Sequence, residues 1–178
     1  MIFGRHYGSG WLQTGLPFYL VVYVLYYILH LKNQDRNQRI QDTILGIMFA
    51  LILEVTLFPI AINQDALNHI IEKHTFSYNL VPLVKGFNAI KYGSKVVLAE
   101  MGLNVLLFIP IGYVLRRFHG VKRSVLNVVM IGFMISLTIE LVQLVSMYQG
   151  LNVRIFDVDD LILNTIGTLI GALIYRKK

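Results

Sequence analysis

Apolar residues in this chain gather into long, almost uncharged runs, and the charged residues gather between them. Runs over 15–31, 43–62, 96–115, 124–147 and 161–175 each approach the roughly 20 residues that a helix needs to cross a hydrocarbon core. The pattern predicts about five transmembrane helices in a single domain spanning 1–178. The last run is the shortest, and the basic triplet 176–178 behind it argues for a full crossing rather than a re-entrant segment. Between the second and third runs lies a longer polar segment, 63–95, in which two short surface helices are expected. One has Asp65 as its cap and Leu67, Ile70, Ile71 and His74 on one face. The other is opened by Pro82 and carries Leu83, Val84, Phe87 and Ile90.

Composition and charge sharpen this picture. Hydrophobic residues make up 56% of the chain and charged residues 15%, so an all-α, polytopic membrane bundle is expected rather than a soluble core. The formal net charge of +6 is largely topological. Lys32, Arg36, Arg39, Arg116, Arg117, Lys122, Arg123 and the terminal triplet fall on one side, which the positive-inside rule assigns to the cytoplasm. Arg5, Lys73, Lys85, Lys91, Lys95 and Arg154 are spread over much longer segments on the other. The N-terminus is therefore expected outside and the C-terminus inside, with the 63–95 segment lying as a lid on the outer leaflet. Nucleic-acid binding has no support. A polar, glycine-containing leader precedes the first run and no small-residue cleavage site follows it, so that run is expected to remain as a span. The chain has no cysteine, which excludes disulfides, thiolate metal ligands and a cysteine nucleophile.

Polar residues inside apolar runs are expensive in lipid and mark sites. At about 1.5 Å per residue, Glu54, Glu100, Asn104, Glu140, Gln143 and Asn164 all fall in the outer half of their spans. Arg154, Asp157, Asp159 and Asp160 stand at the mouth of the last one. A shared polar pocket beneath the 63–95 segment accounts for this common depth. One or more of the three aspartates is also suited to capping the last helix, with Arg154 as a salt-bridge partner. Asp157 or Asp160 is then left to hold a cationic head group or a divalent cation. Glu140, Asp157 and Asp160 are the candidates for any acid–base role. Glycines 167 and 171 and the Pro110–Gly112 stretch are assigned to helix packing and bending. No HExxH, GxSxG or phosphate-cradling glycine loop is present, so the chain reads more readily as a binder than as an enzyme, and no cofactor is called for.

Four segments in order carry a family resemblance: NLVP at 79–82, NVLLFIPIG at 104–112, ELVQ at 140–143, and RIFDVDD at 154–160 followed by Asn164 and Gly167. Together, over residues 45–174, they resemble the VanZ-like family. The resemblance implies a bacterial protein of the cytoplasmic membrane. It also implies a part in low-level resistance to teicoplanin, a glycopeptide antibiotic with a lipid tail. The expected ligand is an envelope amphiphile, either a lipid head group, a lipid-linked cell-wall component or the lipoglycopeptide itself. Asn79, Asn104, Glu140, Gln143, Arg154, Asp157, Asp160 and Asn164 are expected to line its site. Two other readings compete: a membrane-embedded enzyme acting on a lipid-linked wall component through paired carboxylates, and a scaffold that assembles through its small-residue faces.

Overall fold

The computed structural model describes residues 11–73, 78–118, 121–151 and 155–175. Among the described residues seven α-helices are formed: α1 Leu16–Leu29, α2 Arg36–Leu57, α3 Gln64–Lys73, α4 Val84–Lys91, α5 Lys95–Leu115, α6 Val125–Tyr148 and α7 Val158–Ile174. Three of them, α2, α5 and α6, are long and apolar enough to cross a membrane. At 14 and 17 residues, α1 and α7 rise only about 21 and 26 Å. The outward faces are apolar throughout, with Leu106, Leu126, Met130, Met134 and Leu173 all exposed. That surface suits lipid rather than water.

The helix boundaries follow local chemistry more closely than hydropathy. The second expected span, 43–62, is displaced to Arg36–Leu57. Its start is set by Asp35, whose Oδ1 accepts from the N–H groups of Asn37 (2.8 Å) and Gln38 (3.0 Å). Its end is set by Pro59, because the residue before a proline is driven out of helical geometry. The two residues beyond, Ile60–Ala61, pair antiparallel with Trp11–Leu12. As a result Glu54 lies one turn from the C-terminal end of α2. Its Oε2 accepts the Gly15 N–H at 2.9 Å and so ties down the start of α1.

The last helix opens three residues before the expected 161, since Asp157 caps it and Asp159 and Asp160 occupy its first turn. Both short helices of the 63–95 segment form. In α3 Asp65 falls in the first turn rather than at the cap, while Ile70 is buried against Ala61, Trp11 and Leu67. The side chain of Ile71 and all of His74 lie outside the described residues. Pro82 does not open α4. Leu83 intervenes as its N-cap in a left-handed conformation, φ 68°.

A close seam between α5 and α7 organises the bundle. A Cβ on Gly112 would strike the Thr168 carbonyl, one on Gly167 the Val105 carbonyl, and one on Gly171 the Ile109 carbonyl. Backbones therefore meet at van der Waals contact from both sides, which is how helices associate where lipid removes the hydrophobic drive between them. Phe108, Ile111 and Leu115 of α5 join Ile52, Val128, Ile139 and Ala172 in the buried core. α1 is peripheral: none of its residues is buried, and Tyr23 Oη to Thr43 Oγ1 (3.0 Å) is its side-chain bond to α2.

Candidate functional site

Between α6 and α7 the packing surface is polar. Gly132, Ser136 and Glu140 recur every four residues along one face of α6. Opposite them, running the other way, stand Thr168, Asn164 and the first turn of α7. Thr168 fills the space left by Gly132 and donates back to the Asn164 carbonyl at 3.0 Å. Asn164 Nδ2 donates to Ser136 Oγ at 2.9 Å. At the top, Glu140 Oε2 accepts the backbone N–H of Asp157 at 2.9 Å. By this antiparallel register Asp160 is the next α7 residue to face Glu140.

Asp157 is the hub. Its Oδ1 caps α7 by accepting the Asp159 N–H (2.9 Å) and also takes Asn79 Nδ2 (2.8 Å), while its Oδ2 takes Lys85 Nζ (3.1 Å). The chain segment Tyr78–Asn79 pairs in parallel with Phe156–Asp157, which seats the NLVP loop directly on the start of α7. Asn79 Oδ1 accepts the Val81 N–H at 3.3 Å, and this turn delivers the Leu83 N–H to Asp159 Oδ1. α4 then lies across α5, Gly86 making room for Met101. The exposed side of this segment is apolar: Leu80, Val81, Leu83, Phe87 and Ile90 are each at least 59% exposed.

The electrostatics are those of a nearly closed acidic cluster. Glu140, Asp157 and Asp159 are each 1% exposed, whereas Asp160 is half-buried. Lys85 Nζ stands 3.9 Å from Asp160 Oδ1 as well as 3.1 Å from Asp157. Burial alone would lower the Lys85 pKa. The carboxylates of Asp160, Asp157 and, further off, Glu100 outweigh that and hold it above the ordinary lysine value. Asp159 Oδ2 and Asn164 Oδ1 are buried acceptors without a hydrogen-bond donor among the described residues.

Four of the residues singled out from the sequence are thus brought together: Asn79, Glu140, Asp157 and Asp160. Asn164 lies one turn deeper in the same seam. Gln143 points elsewhere, its Nε2 donating to the Thr56 carbonyl of α2 at 3.3 Å. Asn104 is half-buried on α5, and no hydrogen bond joins it to the cluster among the described residues. Arg154 lies outside the described residues. Among those described, no group of three or more His, Asp or Glu is arranged to hold a metal ion, and Lys85 occupies the space between Asp157 and Asp160 where a cation would sit.

Three residues of the cluster escaped the sequence reading. Lys85 registered only as one of several outer charges, though a single cation three residues past NLVP, facing a three-acid motif, was a usable signal. Asp159 reads in the sequence only as a capping candidate, and Ser136 is indistinguishable by type from a hydroxyl bonding its own helix.

A chain with three helices long enough to span a membrane and an acidic cluster buried at one end of a helix seam is a membrane protein with an internal polar site. It matches the VanZ/LLP1 family over residues 18–177 and belongs to that family. Neither a curated protein nor a solved structure matches it.

Proposed function

We propose that this chain is a five-span bacterial cell-membrane protein, N-terminus outside, that binds the head group of an envelope amphiphile in the acidic cluster under α4. It thereby blunts teicoplanin-type lipoglycopeptides. The observation that carries the proposal is the meeting of Asn79 and Lys85 with Glu140, Asp157 and Asp160, across 78 residues of sequence, at the outer end of the α6–α7 seam. Buried carboxylates are retained in lipid at a penalty that a purely structural seam would avoid with Ser and Asn alone.

An apolar crevice of about 200 Å³ between α2 and α6 supports the same reading. Its walls include Phe49, Ile52, Ile139 and Val142, and it reaches Thr56, whose carbonyl takes the Gln143 amide. This is space for part of one acyl chain beside the polar end of the bundle. Lys85, held by Asp157 and Asp160, is the cation offered to an anionic head group. α4, apolar outside and latched inside, opens and closes the site.

Teicoplanin susceptibility of a Gram-positive host expressing the chain tests this. Glu140→Ala and Lys85→Ala, at unchanged protein level, should each abolish the gain in resistance, and retention in both would overturn the binding site. An enzyme acting on a lipid-linked wall component is the second reading, favoured by the burial of Glu140 and Asp157 side by side, the Asp157 backbone N–H donating to Glu140 Oε2. Mass analysis of envelope lipids incubated with purified protein separates the two, because a binder leaves every lipid mass unchanged.

A further inference from the structure

At the other end of the bundle, remote from the acidic cluster, a cavity of about 730 Å³ opens between the start of α2, the end of α5 and the end of α7. We infer that it holds the phosphodiester head group of an acidic phospholipid. The volume lies within the roughly 300–1,000 Å³ of small-molecule pockets. Its lining is graded. Arg36, Asn37, Gln38, Gln41 and Arg117 supply the polar part, while Ile40, Ile44 and Val114 line it toward the middle of the helices.

Arg36 and Arg117 enter no ion pair among the described residues, so both guanidinium groups are available for a phosphate. Asp35 also lines the cavity, but its Oδ1 is committed to the N–H groups of Asn37 and Gln38. Among the described lining residues two arginines stand against one aspartate, a net positive charge that suits the monoanionic phosphodiester of a lipid. Tyr113 and Tyr175, edge to face with centroids 5.6 Å apart, complete the wall. Tyrosine is the residue type that settles at the level of lipid head groups. The aliphatic residues Ile40, Ile44 and Val114 lie toward the middle of helices long enough to span a membrane, which points to a lipid rather than to a free anion.

Native mass spectrometry of the full chain in detergent, titrated with phosphatidylglycerol, tests the inference. One lipid should bind, and the double variant Arg36→Gln/Arg117→Gln should bind it roughly 30-fold more weakly, at about tenfold per 1.4 kcal/mol for two interfacial arginines. The pair Arg36→Lys/Arg117→Lys should keep most of the affinity. Should the double variant fail to fold, Arg117→Gln alone should lose about fivefold. Undiminished binding by the glutamine variants overturns the site. Equal binding of phosphatidylcholine would show that the charge is not read, and inorganic phosphate binding as tightly as the lipid would show an anion site without lipid character; either result overturns the inference.

Discussion

Replacing Asp157 separates two roles that one side chain combines. Asp157→Asn keeps an oxygen in the Oδ1 position, so the cap on α7 and the bond from Asn79 survive, and asparagine is as good a cap as aspartate. What it loses is the ion pair with Lys85, whose side chain is 29% exposed. Breaking a fully buried pair costs about 3–5 kcal/mol, and partial access to water reduces this to about 1.5 kcal/mol here. Asp157→Ala loses the cap as well, about 1 kcal/mol, and strands the Asn79 amide for about 1–2 kcal/mol more, giving about 4 kcal/mol in all. Reversible unfolding in micelles measures both. A double-mutant cycle of Asp157→Asn with Lys85→Met should return a coupling of about 1 kcal/mol. The reasoning is refuted if asparagine is as damaging as alanine, or if the cycle is additive within about 0.3 kcal/mol.

Alanine at Gly171 or Gly112 should destabilise by about 1–3 kcal/mol or more, because the new Cβ meets the backbone of the facing helix. At Gly46 or Gly102, where nothing lies within 4 Å, alanine should be neutral or stabilise by up to about 1 kcal/mol; thermal unfolding of the four variants checks the contrast. The raised Lys85 pKa makes the α4 latch resist alkali. Its contribution is complete below the ordinary lysine value of 10.5 and is lost only as pH rises through the higher folded value, so protease protection of Val84–Lys91 should be flat through neutral pH and fall above 10.5. Asn164→Leu should change stability by less than about 1 kcal/mol, since it removes an unsatisfied carbonyl along with the bond to Ser136, whereas Ser136→Ala, which strands the whole amide, should cost about 1–2 kcal/mol by the same measurement.

Much of this architecture is legible in the residues themselves. The third and fourth apolar runs coincide with α5 and α6 almost to the residue, because nothing local competes with hydropathy there. The second run is misplaced at both ends because Asp35 and Pro59 carry stronger boundary signals than the fading of apolar character. The meeting of Glu140 with the DVDD turn follows from depth, which the helical rise converts into distance, whereas Asn79 enters through the NLVP motif. Lys85 and Asp159 could not be reached that way. They meet the site through a left-handed Leu83 and a two-residue parallel pairing, and neither leaves a periodic trace in the sequence. Gln143 illustrates the opposite failure: it has the right depth but faces α2, since three residues along a helix turn the side chain far enough to choose another neighbour.

The parallel pairing of Tyr78–Asn79 with Phe156–Asp157 also fixes an order of events during synthesis. Every anchor of the NLVP loop and of Lys85 described above belongs to Phe156, Asp157, Asp159 or Asp160, which leave the ribosome only when the final helix does. Until then Glu140 has no Asp157 N–H to accept, and the apolar α4 rests on α5 through Gly86 and Met101 without its polar anchors.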